Sequence, residues 1–206
     1  MKLKYWKKNN GTAFLSLNDE IWGVLSIRAL QRLSPPDQEV EIEQKLGEDL
    51  IHQLQNRAWW QITDYLAKAE HSEQQCRNFL ARKSYHPSII EQCIKLCIEK
   101  GYLDDARYAE ILIRSLLERG KSKSYISQKM YQQNIPPALY ESILAELYDP
   151  SESQAQLIGQ INKLLIRYRD EEAHKAKERI FASLFRKGFC LDEISAAWIA
   201  ATKPRG

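Results

Sequence analysis

Glycine and proline are both scarce in this chain, eight and seven among 206 residues. That scarcity argues against a loop-rich or all-β fold. Long hydrophobic runs are missing too. The longest uncharged apolar stretches, such as Ile111-Leu112-Ile113, fall far short of the ~20 residues needed to span a bilayer. Met1–Asn10 (MKLKYWKKNN) carries the positive charge of a signal peptide with no apolar run behind it. A cytoplasmic protein without membrane contact is therefore expected. The four cysteines, Cys76, Cys93, Cys97 and Cys190, show neither a C-x-x-C pair nor disulfide-framework spacing, which fits a reducing compartment. A strong charge of one sign is also absent. Charged residues are 28% of the chain, but the net charge is only +3, which permits contact with nucleic acid or an acidic protein surface without requiring either.

Catalytic signatures are missing as well. There is no G-x-G-x-x-G, P-loop, H-E-x-x-H or G-x-S-x-G motif, and His52, His71, His86 and His174 are dispersed away from any acid or nucleophile partner. Cys93 and Cys97 lie one helical turn apart, as the start of a metal site would. They share a face with Ile90 and Ile94, however, and no further ligand is near, so they read as buried structural thiols. The pair Asp104-Asp105 resembles a two-carboxylate site, but helix chemistry accounts for it more simply. Gly101 ends one helix, Asp104 caps the next, Asp105 sits in its first turn, and Leu103 and Tyr108 fall at staple positions. The expectation is a binding protein, not an enzyme, with no cofactor and no metal.

The first forty residues read as a small β-hairpin or three-stranded element. Leu3 and Tyr5, then Ala13, Leu15 and Leu17, alternate with period two around Asn9-Asn10-Gly11, a hairpin signal. Ile21–Leu25 supplies a third strand, Ser26 caps a short helix, and Ser34-Pro35-Pro36 reads as a linker. From about Glu41 the period is helical, with Leu46, Leu50, Ile51, Leu54, Ala58, Trp59, Ile62, Tyr65 and Leu66 in one stripe. Ser72–Gln75 reads as a capping box, and Pro87 as a first helical residue.

Internal repetition organises the rest. Cys76, Leu80, Lys83-Ser84-Tyr85, Ile90 and Ile94 recur 50 residues later as Ile126, Met130, Gln133-Asn134-Ile135, Tyr140 and Leu144, with Ser72 falling on Ser122. A third copy follows after 54 more: Ile180, Leu184, Lys187-Gly188-Phe189, Ile194 and Trp198. Each copy stops a helix at a residue that accepts left-handed φ, and the next, large apolar side chain folds back onto the core. The predicted fold is mainly α: three tandem three-helix repeats in an elongated, curved arrangement. The segments are 1–40 for the β-rich element, then 41–101, 102–150 and 151–206 for the repeats.

Basic residues form two groups. Arg114, Arg119, Lys121 and Lys123 cluster at and beyond one helix end. Lys163, Arg167, Arg169, Lys175, Lys177 and Arg179 form the second, completed by Arg186-Lys187. Such groups serve equally as solvated helix faces or as a macromolecular contact surface.

The segment Gly101-Tyr102-Leu103-Asp104-Asp105-Ala106-Arg107-Tyr108-Ala109 resembles the signature of the RecX family of recombination regulators. The resemblance continues through Arg114, Gly120 and Ile126 and returns at Leu184–Phe189, with Gly188 and Phe189 at its end; Tyr65-Leu66, Ser72 and Leu80 fit it as well. It covers roughly residues 57–201. Ser84 and Asn134 stand where the family usually has Gly, and Gln75 and Lys129 where it often has Glu. Strain at the left-handed positions is worth about 1 kcal/mol. The resemblance implies a monomeric, nine-helix repeat protein that binds the RecA recombinase filament and inhibits its ATPase, strand-exchange and co-protease activities, with weak contact to single- or double-stranded DNA. The candidate contact residues are Arg114, Arg119, Lys121, Lys123, Arg167, Arg169, Arg186 and Lys187. The alternative reading is a helix-turn-helix DNA-binding protein acting without a recombinase.

Overall fold

The computed structural model describes residues 1–8, 11–32 and 39–203; the expected Asn9-Asn10 turn and the Ser34-Pro35-Pro36 linker lie outside them. Two compact units divide the chain, Met1–Asp104 and Asp105–Gly206.

The first unit opens with β1 (Lys2–Lys7), β2 (Thr12–Leu17), β3 (Glu20–Ser26) and the short helix α1 (Ile27–Arg32), followed by β4 (Glu39–Glu41). The period-two residues do what alternation dictates: Leu3, Ala13, Leu15 and Leu17 are all buried on one face. On the other face Trp6 pairs with Phe14, ring centroids 5.5 Å apart. Two features depart from the expected element. The hairpin joining β2 and β3 turns on Asn18 and Asp19, both at positive φ (50° and 67°), as a two-residue turn matching strand twist requires. The sheet also has four strands, not three, in the order β3-β2-β1-β4. The added strand is three residues long, with Val40 and the following Ile42 packed on the core side. It is held in antiparallel register by Glu39, which pairs with Lys2 and Lys4 at 3.3 and 3.5 Å. Ser26 caps α1, its Oγ accepting from the Ala29 N–H at 3.1 Å.

Against this sheet lies α2 (Gln44–Leu66), which buries Leu50, Leu54, Ala58 and Ile62 at four-residue spacing. The sheet approaches closely at Gly23, where an added Cβ would lie 2.7 Å from Leu54 Cδ2. Helices α3 (Glu73–Arg82) and α4 (Pro87–Glu99) complete the unit. A capping box at Ser72 and Gln75 starts α3, and Pro87 stands in the first turn of α4. Cys76, Cys93 and Cys97 are buried in this core.

The second unit holds two three-helix groups, each with its own core. Helices α5 (Asp105–Glu118), α6 (Lys123–Gln132) and α7 (Pro137–Leu147) close on Ile113, Ile126, Met130, Ile135 and Leu144. Helices α8 (Pro150–Arg167), α9 (Ala173–Phe185) and α10 (Leu191–Thr202) close on Leu157, Ile161, Ile180, Leu184, Phe189 and Ile194.

The three helix stops share one geometry. Ser84, Asn134 and Gly188 all take positive φ, at 65°, 56° and 92°. The next residue, Tyr85, Ile135 or Phe189, is buried, and its N–H reaches the carbonyl five residues back. This is the Schellman ending. One aligned position differs: Trp198 is only half-buried, edge-on to Phe181 at 5.7 Å, because the helix turns Ala197 into the core instead.

Candidate functional site

The signature residues are placed by packing. Gly101 takes φ +70° at the end of α4, and Tyr102 N–H bonds the Cys97 carbonyl at 2.9 Å. Leu103 is buried in the core of the first unit. Asp105 is the first residue of α5, where a carboxylate meets the positive helix end, and Tyr108 and Ala109 are buried one turn on. Burial pushes the thiols of Cys93 and Cys97 up to about 11, so both stay protonated near neutrality, unlike a nucleophile or metal ligand. Among the described residues no group of three or more His, Cys, Asp or Glu is arranged to hold a metal. No helix there is long and apolar enough to cross a membrane.

The basic residues separate into two kinds. Some are neutralised locally. Arg114 is bonded by Glu110 at 2.7 Å, one turn earlier on α5. Arg169 lies 3.5 Å from Asp170, Lys175 lies 3.1 Å from Glu172, and Arg179 pairs with Glu171. Arg167 and Arg179 flank the Tyr168 ring at 5.8 and 5.9 Å.

Others meet at a seam inside the second unit. The Lys187-Gly188 turn after α9 sits on the N-terminus of α6, where the Ser122 N–H donates to the Lys187 carbonyl at 3.1 Å. Ser122 Oγ meanwhile caps α6 through the Tyr125 N–H. Gly188 has no room for a side chain there: a Cβ would stand 2.5 Å from Ser122 Oγ and 2.6 Å from Tyr125 Cβ. Gln160 on α8 ties the seam from the side. Its Nε2 donates to the Gly120 carbonyl at 3.2 Å, and its Oε1 accepts from Lys187 Nζ.

This arrangement brings Lys121 and Lys187, 66 residues apart in sequence, together with Lys163. Burial first, then the charges of Lys121 and Lys163, hold the Lys187 ammonium below its usual range. Lys121 Nζ lies 4.1 Å above the Tyr125 ring. Among the described residues none of Arg119, Lys121, Lys123, Lys163, Arg186 or Lys187 has a carboxylate within 4.0 Å. Arg119, Lys123 and Arg186 are exposed around the seam. Gln156, Gln160, Lys163 and Arg167 share one stripe of α8 by their four- and three-residue spacing.

The sequence placed Arg119, Lys121 and Lys123 in one basic group and Lys163, Arg186 and Lys187 in the other, and gave no sign that the two groups meet, nor that Gln160 is the clamp. Arg114 lines a cleft of about 230 Å³ together with Lys121, but Glu118, Asp149 and Glu152 line it too, so it is no anion pocket.

Comparison with known proteins gives this geometry a family. The family model described as RecX, second three-helix domain, matches residues 104–144. Regulatory protein RecX of Halorhodospira halophila is 27% identical over 138 residues, covering 66% of this chain and 83% of that protein. RecX of Vibrio parahaemolyticus is 28% identical over 132 residues, 64% of this chain and 83% of its own. RecX of Staphylococcus aureus is 28% identical over 133 residues, 64% of this chain but 48% of its own length. In fold, the chain matches a crystal structure of a regulatory protein RecX with TM-score 0.62 at 18% identity, covering 98% of this chain and 97% of that one. The RecX structure from Lactobacillus salivarius matches with TM-score 0.58 at 21% identity, over 71% and 96%. The signature segment, the repeated helix stops and these matches together support the RecX family of regulatory proteins as the one this chain is similar to.

Proposed function

We propose that this protein regulates the RecA recombinase by docking on its filament and inhibiting its ATPase, strand-exchange and co-protease activities, and so acts in recombination, DNA repair and the SOS response. The observation that carries the reading is the seam: Lys121, Lys163 and Lys187 converge without carboxylate partners, ringed by Arg119, Lys123 and Arg186. Unpaired cations on a rigid surface retain their charge for a partner, whereas those already paired contribute little. Acidic groups lining the filament, or nearby phosphates, are their proposed counterparts. On this reading the protein is a cytoplasmic monomer without catalytic activity or cofactor, built of repeats at 41–101, 102–150 and 151–206.

The helix-turn-helix reading meets an obstacle in the charge of the helices that would enter the groove. The helix after each left-handed stop is α4, α7 or α10. Helix α7 carries Glu141 and Glu146 and no Lys or Arg, α10 carries Asp192 and Glu193 and none, and α4 carries Lys95 against Glu91 and Glu99. A recognition helix faces a dense row of phosphates, and these faces would repel them.

The test is the DNA-dependent ATPase of RecA from the same organism, titrated with this protein. Inhibition below one protein per RecA protomer is expected; no effect at a molar excess of folded protein would remove the recombinase reading.

A further inference from the structure

The first unit carries a second cationic site that the seam does not explain. Lys8 after β1, Arg57 on α2, Arg82 at the end of α3 and Lys83 in the following turn all line one hollow of about 250 Å³ beside Tyr85. Among the described residues no carboxylate lines it, and none of the four cations is in an ion pair. The arrangement is built, not incidental. The buried Tyr85 hydroxyl donates to Gln61 Oε1 at 3.2 Å, and Arg57 and Gln61, one turn apart on α2, line the hollow with it.

A second hollow, of about 460 Å³, adjoins the first, sharing Arg57 and Gln61 on α2 and continuing from Val24 to Leu25 on β3. Its outer wall is Trp60, 75% exposed. An indole so exposed has no packing role to account for it, and it stands one helical turn from Arg57.

We propose that this continuous groove between β3 and α2 binds single-stranded nucleic acid, with backbone phosphates on Arg57, Arg82, Lys83 and Lys8 and a base stacked on Trp60. Four cations beside an exposed aromatic match a sugar–phosphate backbone with splayed bases. A duplex hides the faces of its bases, so the indole selects the single strand. The site shares no residue with the seam, and its binding does not depend on the recombinase.

The experiment is fluorescence anisotropy of a labelled oligothymidylate of about 12 nucleotides, a length within known single-strand site sizes, titrated with the full chain. Arg57→Gln with Lys83→Gln should weaken binding and flatten the log K against log salt plot by roughly 1.4, the change for two lost phosphate contacts on a single strand. Trp60→Ala should weaken binding about 5- to 100-fold with the salt slope unchanged, and Trp60→Phe should recover most of it. Circular dichroism and the urea midpoint verify that each variant is folded. Equal binding of the duplex, indifference to Trp60→Ala, competition by inorganic phosphate alone, or no binding by the wild-type chain would each overturn the proposal. None of these outcomes bears on RecA inhibition, which is measured separately.

Discussion

The second unit contains two basic regions of similar composition and opposite electrostatic character. Around the α8–α9 connection, Arg169, Lys175 and Arg179 each have an acidic neighbour supplied by the run Asp170-Glu171-Glu172. At the seam, Lys121, Lys163 and Lys187 meet one another, the Tyr125 ring and the Gln160 amide, and among the described residues none has a carboxylate within 4.0 Å. Local sequence neutralises the first region. Tertiary packing creates the second, because a hydrogen-bonded turn forces like charges together at an electrostatic cost. Charge held against its own repulsion by a rigid turn is a feature that a partner surface relieves.

The strongest way to break this contrast is Gly188→Ala. The new Cβ meets the backbone and Cβ of Tyr125 at a φ of +92°, and overpacking with left-handed strain together cost roughly 2–4 kcal/mol. Urea denaturation should show that loss, and it should carry seam function with it. Gly120→Ala, whose Cβ would push aside the flexible end of Gln160 and loosen that tie, should cost about 1–2 kcal/mol from its φ of +62°. Were the two equally damaging, Gly188 would not be the tight point of the seam. Ser84→Gly, at the corresponding turn of the first unit, should act in the other direction. Relief of left-handed strain should stabilise by about 0.5–1 kcal/mol, and a lower urea midpoint would contradict the strain assigned there.

The smallest effect concerns Lys187 itself. Its folded-state ammonium titrates below the ordinary 10.5, so the protonated form burdens the native state. Stability from this group therefore rises with pH between the lowered folded value and 10.5. Lys163→Glu should move the Lys187 titration, followed by NMR of its ε-carbon, upward toward the ordinary value. An unchanged titration would mean that Lys163 lies outside the cluster.

Much of this architecture was legible in the sequence. A Ser, Asn or Gly followed at once by Tyr, Ile or Phe at a constant offset marks a helix stop whose next residue must be buried, and all three behave so. The fourth strand was not read, because the alternation of Val40 and Ile42 is too short to stand out from the helical pattern that follows, and pairing with Lys2–Lys4 across the sheet completes it. The Asn18-Asp19 turn was readable in principle from residues that tolerate positive φ. Of the candidate contact residues, the pairing of Arg114 with Glu110 could have been inferred from its four-residue spacing on one helix, whereas that of Arg169 with the adjacent Asp170 belongs to a turn that no such spacing predicts. The convergence of Lys121, Lys163 and Lys187 could not, since it rests on Gln160 bonding Gly120 forty residues away.

The central claim is that the seam, not basic charge in general, engages RecA. Two double reversals, Lys121→Glu with Lys187→Glu and Arg169→Glu with Arg179→Glu, make equal changes in net charge. Compared with the wild-type chain in the RecA ATPase assay, the seam pair should raise the concentration for half-inhibition at least about tenfold, and the other pair less than about threefold. Equal losses from both pairs, or none from the seam pair, would contradict the account.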